Sequence, residues 1–261
     1  MGLDSERWIA GDRLGESHDA CLTVHGSSRI QTFKTGFDIF DYQVPPWAET
    51  LPTAEDYSPS AYFVVRGRVR ILGQSQRRAR PYSAALLHPG DFFGADHLFY
   101  AAPLSYRAVA ASSCQVLQIP CSHLALWADQ FPGLAAHWGR CIEQRVQQVF
   151  FKRFTPLQTL PTHVLSTQLI SQIQELQVDC GTPLAAAVHP YQGYFWLRSG
   201  HLVGPSASHP SPVLGQGWSS DHCPWPEGVA QTPVRLLHLG ASRAREAADL
   251  LPVLNPLSLR S

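Results

Sequence analysis

Hydrophobic positions along the chain change period twice. Between Arg29 and Tyr42, Ile30, Phe33, Phe37, Ile39 and Phe40 predict one or two strands. A stronger strand signal runs from Ala61 to Leu72, aromatic and β-branched at first, then alternating through Arg68, Val69, Arg70 and Ile71. Gly67 punctuates it and predicts a tight turn or a bulge. Gln74 to Arg80 reads as a polar, basic hairpin loop. Ala84 to Leu87 reads as a short strand ended by His88-Pro89-Gly90-Asp91, and a third strand spans about Ser105 to Ile119. The period then lengthens. Leu134, Trp138, Ile142, Val146, Val149 and Phe150 mark one face of a helix from Pro132 to Phe154. A second helix is expected from Thr162 to Leu176, on Val164, Leu165, Leu169, Ile173 and Leu176, beyond a linker bracketed by Pro156 and Pro161. After Gly181 the strand pattern returns, and a helix from Ser242 to Leu251 closes it.

The returning pattern echoes the first. Tyr62-Phe63-x-x-Arg66-Gly67 recurs as Tyr194-Phe195-x-x-Arg198-Ser199-Gly200. Ala110-x3-Cys114-x-Val116-Leu117-x-Ile119 recurs as Ala230-x3-Val234-x-Leu236-Leu237-x-Leu239. Two matches in one order argue for a duplicated domain, the second copy shorter by about a dozen residues between the motifs. The expected division is an extension at 1–28, a domain at 29–155, a second, degraded domain at 156–251 and a tail at 252–261.

Composition narrows the chemistry. The 261 residues carry 20 Lys and Arg against 20 Asp and Glu, so a uniform basic field for non-specific nucleic-acid binding is absent. Only Lys34 and Lys152 are lysines. No apolar run approaches the ~18 residues of a membrane span. The six cysteines form no C-x-x-C and no zinc-finger spacing with histidine, which points to free thiols in a reducing cytoplasm. The hairpin arginines Arg66, Arg68, Arg70, Arg77, Arg78 and Arg80 read as a solvated edge that deters strand pairing.

In the first half, Tyr62 to Val69, then His88-Pro89-Gly90-Asp91-Phe92-Phe93-Gly94, Leu98-Phe99 and the strand ending Ala110 to Pro120 resemble the cyclic nucleotide-binding domain family. That is the β-roll of catabolite activator protein and of cyclic-nucleotide-regulated kinases and channels. The resemblance implies a mainly β fold with flanking helices: two tandem double-stranded β-helix (jelly-roll, cupin-like) domains of the cyclic nucleotide-binding type, joined by a helical segment. It implies a non-catalytic regulatory or sensory module of a bacterial, cytoplasmic kind, and a cassette for the cyclic phosphate at Gly90, Phe93, Gly94, Ala95, Asp96, His97, Leu104, Ser105 and Arg107.

At that cassette the sequence departs from the family. A Glu after Phe-x-Gly ordinarily holds the ribose, and here stands Ala95. An Arg ordinarily pairs with the phosphate, and here stands Leu104, followed by Ser105. Arg107 has the wrong strand parity to replace it, sharing a face with Ser105 while Leu104 and Tyr106 share the other. If the cassette helix starts at Asp96, that carboxylate can cap it and repel a phosphate. In the second copy, Gly200 to Ala230 is 30 residues against 43 from Gly67 to Ala110, and Gly217 to His222 contains no arginine. Weak or absent binding of cAMP and cGMP is therefore expected. Cyclic nucleotide or another small anion remains the candidate ligand, with no cofactor. A protein partner or transporter is expected, and the tandem rolls resemble the regulatory segment of some bacterial peptidase-containing exporters. A pure interaction scaffold that binds no small molecule is the alternative. A cupin-type metal site from His88, Asp91, Asp96 and His97 is a remote one. A second roll stands where relatives carry a DNA-binding helix-turn-helix, so DNA is not an expected partner. The helix over 132–154 is the candidate contact of a homodimer.

Overall fold

Among the described residues, alternating positions in the first part of the chain build eight short strands. The computed structural model describes residues 28–42, 60–73, 81–100, 103–204, 212–220 and 228–250. The extension, the basic hairpin loop, His209, His222 and the tail lie outside them, apart from Ser28. The strands are β1 (Arg29–Phe33), β2 (Asp38–Tyr42), β3 (Ser60–Arg66), β4 (Val69–Gly73), β5 (Tyr82–Leu87), β6 (Phe92–Phe93), β7 (Tyr106–Ala110) and β8 (Cys114–Pro120). They pair into two four-stranded antiparallel sheets, β1-β8-β3-β6 and β2-β7-β4-β5. Along β7, Tyr106, Ala108 and Ala110 are buried, while Arg107 and Val109 are only partly so. Val69 and Ile71 are likewise buried against an exposed Arg70. This is the period-2 signature of sheets that enclose a core on one face.

Both long apolar runs are cut, the first at the Gly67 turn that the sequence predicts and the second within a stretch expected to be one strand. The run from Ala61 to Leu72 divides into β3 and β4, and the run from Ser105 to Ile119 into β7 and β8, each half entering a different sheet. The two breaks pack on each other. Gly67 has φ +78°, and a Cβ there would lie 2.2 Å from the Ser113 carbonyl oxygen and 2.8 Å from Cys114 Cα. Glycine is the one residue that meets both demands. After β6 comes α1 (Asp96–Phe99). After β8 come α2 (Cys121–Gln130) and α3 (Pro132–Phe154). Trp138 of α3 meets Phe63, Phe92 and Phe99 at ring distances of 6.0, 5.6 and 5.8 Å.

The chain divides into two compact units, the first ending at Glu143 and the second beginning at Gln144. In the second unit a 3-10 turn (Pro156–Thr159) precedes α4 (Thr162–Val164), which continues as a π-helical stretch (Leu165–Leu169) and a 3-10 turn (Ile170–Gln172). The expected helix to Leu176 thus ends early. Ile173 to Val178 are β9, because their backbone groups pair with the strand at Val234–Gly240. Next come α5 (Leu184–Val188), β10 (Gly193–Ser199), β11 (Leu202–Val203), β12 (Gly217–Ser219), β13 (Val229–Ala230), β14 (Val234–Gly240) and α6 (Ala241–Leu250). The sheet order is β12-β10-β14-β9, with β11-β13 a separate pair.

The pairing of β10 with β14 matches that of β3 with β8 step for step. Ala61 faces Ile119 as Tyr194 faces Leu239, and Tyr62 faces Gln118 as Phe195 faces His238. The register slips between Val64 and Arg66 in one pair and between Leu197 and Ser199 in the other. Gly200, at φ +93°, stands over Pro233 and Val234 as Gly67 stands over Ser113 and Cys114. This corrects the sequence echo by one residue: the counterpart of Tyr62 is Phe195. A one-residue slip exchanges the faces of a strand. Accordingly Phe195 and Leu197 join Val178, Leu184, Val188, Leu202, Trp218 and Leu236 in one apolar cluster. Trp196, of opposite parity, sits edge-on to Phe151 at 5.0 Å, and the Arg198 guanidinium lies 5.3 Å from the Phe150 ring.

The expected stripe on α3 is largely buried within the chain itself. Trp138, Ile142, Val146, Val149 and Phe150 are all buried, and Leu134 partly so. Lys152 is buried as well, and its Nζ donates to the carbonyls of Gln158, at 3.2 Å, and Leu160. Burial holds this amine below the usual lysine range.

Candidate functional site

The cassette begins at the turn 88–91. Gly90, at φ +94°, carries the chain round it and gives its N–H to the Val64 carbonyl at 2.9 Å. The Asp91 carboxylate accepts the His88 N–H at 2.7 Å, reaching three residues back, so this side chain serves its own turn. Phe92 and Phe93 then pair with Phe63 and Tyr62, and Phe93 stacks on Tyr62 at 5.2 Å. Gly94, at φ +93°, lies so close to β3 that a Cβ would come within 2.6 Å of the Ser60 carbonyl oxygen.

Ala95 and Asp96 follow, both fully buried. Asp96 is the first residue of α1. The expected capping role does not occur, since the N-cap position is Ala95 and no side chain caps the helix. The Asp96 carboxylate instead accepts the phenolic proton of Tyr106, at the head of β7. The Tyr106 oxygen also accepts the Gly94 N–H at 2.8 Å. One hydroxyl therefore ties the glycine before the helix to the carboxylate that starts it. His97 and Leu98 are exposed, and Phe99 turns inward to Phe92 and Trp138.

The remaining cassette positions lie on the way into β7. Leu104 and Ser105 are half-buried ahead of the strand. Arg107 is half-exposed and donates Nε–H to Asp38 Oδ1 at 3.0 Å. The structure thus joins Gly94, Asp96 and Tyr106, and commits Arg107 to Asp38 on β2. Sequence reasoning used Tyr106 only as a parity marker. Two polar-tipped residues at otherwise apolar positions, Asp96 and Tyr106, were the available signal.

Asp96 also colours its surroundings. The Cys121 thiol, buried at the head of α2, is pushed up to about 12, first by burial and then by the Asp96 charge. Burial lowers His97 below its ordinary value while Asp96 opposes that shift. Among the described residues no three His, Cys, Asp or Glu side chains gather for a metal ion. None of the described helices is long and apolar enough to cross a membrane.

With this geometry in place, comparison with known families is specific about one segment. Residues 48–128 match the cyclic nucleotide-binding domain model. The first unit carries a cyclic nucleotide-binding domain. Its two antiparallel sheets with flanking helices are the β-roll of that family. No curated protein matched the chain. Among solved structures, the catabolite activator protein of Thermus thermophilus is 25% identical, with 42% of this chain and 45% of that one covered and a TM-score of 0.31. FixK2 from Bradyrhizobium japonicum is 18% identical over 48% of this chain and 55% of its own, with a TM-score of 0.35. The regulatory domain of Toxoplasma gondii PKA with cAMP is 12% identical over 90% and 85%, with a TM-score of 0.31.

Proposed function

We propose that the chain is a non-catalytic regulatory module, built on a cyclic nucleotide-binding roll that has lost or altered its nucleotide specificity. The observation that carries this reading is the cassette itself. Ala95 and Leu104 occupy the positions where the family places its ribose-binding Glu and phosphate-binding Arg. Arg107, the nearest cation in the strand, is engaged by Asp38. Each missing charge-assisted bond is worth roughly 1.5–3 kcal/mol. Two together cost about 3–6 kcal/mol, or some two to four decades of affinity. Domain bounds of 29–155 and 156–251 go with this reading, the second domain being a degraded copy of the first. The shared strand register and the paired glycines Gly67 and Gly200 support that assignment.

The module's output is then contact with another protein in the cytoplasm, and the peptidase-containing exporter is the first candidate. A homodimer through residues 132–154 would use Gly133, Ala136, His137, Arg140 and Gln144, which are exposed, in place of the buried stripe. Calorimetry of the whole chain with cAMP, cGMP and a cyclic dinucleotide tests the nucleotide reading. Dissociation constants of a millimolar or weaker for the two mononucleotides are expected. A micromolar constant for cAMP would overturn the loss of specificity. Sedimentation at low micromolar concentration tests the dimer, which a clean monomer retires.

A further inference from the structure

Missing charges leave a cassette weak, whereas an internal occupant leaves it closed. Asp96 is a fully buried acidic side chain on the first residue of a four-residue helix. A buried carboxylate is costly unless polar partners surround it. Tyr106 is such a partner, itself only 2% exposed and held at the head of β7 opposite Tyr42. A phenol has one proton and two lone pairs. Its proton goes to Asp96, which leaves the oxygen to accept, and it accepts the Gly94 N–H. The cassette's glycine donor is therefore already spent on a side chain. An incoming anion would have to take that donor from Tyr106. It would also have to approach a like charge in a low-dielectric interior, where repulsion is strongest.

We infer that the Asp96–Tyr106 pair is the specificity-determining element of the first roll: it occupies the cassette from within and rejects a phosphate even when the family's charged partners are present. This rests on the reading of lost nucleotide specificity above and adds a cause independent of Ala95 and Leu104. The pair explains the buried acid and the glycine contact through one arrangement.

The test compares three whole-chain proteins by calorimetry with cAMP. They are the wild type, the double variant Ala95→Glu/Leu104→Arg, and a quadruple variant that adds Asp96→Leu/Tyr106→Ala. The expected result is no measurable binding for the first two and a gain of at least tenfold over the double variant for the third. Micromolar binding by the double variant overturns the inference and leaves the missing-charge reading standing. Micromolar binding by the wild type overturns that reading as well. No gain in a folded quadruple variant also overturns the inference. Should circular dichroism show that protein unfolded, Tyr106→Phe in the native background decides. Amide exchange at Gly94 is then expected to speed up at least tenfold, and unchanged protection overturns the proposal.

Discussion

Arg107 on β7 gives its Nε proton to Asp38 on β2 across 3.0 Å, one strand away in the same sheet. That contact fixes the arginine on the outer side of the strand whose inner side carries Tyr106. Both side chains remain well exposed, at 39% and 63%. Exposed ion pairs contribute about 0–1 kcal/mol. Arg107→Ala is therefore expected to move the urea midpoint only slightly and to leave nucleotide titrations unchanged. A large affinity change in that variant would place the side chain in the cassette after all.

The thiols are expected to separate by environment. Burial raises Cys114 and takes Cys121 to about 12, while Cys180 is exposed and Cys141 half-buried. A thiol with that pKa is only about 0.01% thiolate at pH 8, and the thiolate is the reactive form. Among the described cysteines, iodoacetamide at pH 8, followed by peptide mass spectrometry, should label Cys180 first, then Cys141, with Cys114 and Cys121 spared until the protein unfolds. The linkage has a definite sign. The folded value of Cys121 lies above the unfolded one of 9.0, so its contribution is whole below pH 9 and is lost as pH climbs from there towards about 12. Cys121→Ala should flatten that alkaline limb.

His97 works in the opposite direction. Its folded value lies below the ordinary 6.5, because burial outweighs the Asp96 charge. The unfolded chain then binds the proton more readily, so this contribution is present above pH 6.5 and lost as pH falls. Its magnitude is small, since the residue keeps much of its surface in solvent and its ring is only partly desolvated. Melting curves from pH 5 to 8 should show a shallower acid limb in His97→Gln than in the wild type.

Gly67 and Gly200 hold equivalent corners, each at positive φ against the backbone of the facing strand. Alanine at either position meets a conformational cost of about 1–3 kcal/mol before any overlap is relieved. Gly67→Ala and Gly200→Ala should each lower the unfolding free energy, read from urea titrations, by that much or more. Gly36, also at positive φ but with open space around it, should lose less. Equal effects at all three would show that the close backbone contact contributes nothing.

Strands, the long helix and the order of motifs were legible in the sequence because each rests on local periodicity. Pro132–Phe154 matches its helical stripe residue for residue. Ile173 and Leu176 were misread because two apolar residues three apart fit a helix as well as a strand edge, and only pairing with β14 decides. The one-residue offset between the echoing motifs was hidden because Tyr194-Phe195 and Arg198 repeat the residue types of Tyr62-Phe63 and Arg66 one position early. Ser199 therefore looked inserted, whereas the strand register runs without a gap to Gly67 and Gly200. At the cassette, Ala95 and Leu104 were readable as substitutions. The bond between Asp96 and Tyr106 was not, since it joins residues from a helix start and a strand start whose approach depends on the roll.

Burial of Lys152 leaves Lys34, exposed in the turn between β1 and β2, as the accessible lysine. Amine-directed reagents will therefore address the side chains of this chain at a single place. Once the α-amino group is blocked, a biotin or fluorophore coupled there reports from one known position, and a surface loaded through it presents every molecule by the same side chain. For a protein whose output is proposed to be a contact with another, that uniform display makes a lysine-coupled sensor chip a natural way to search for the partner.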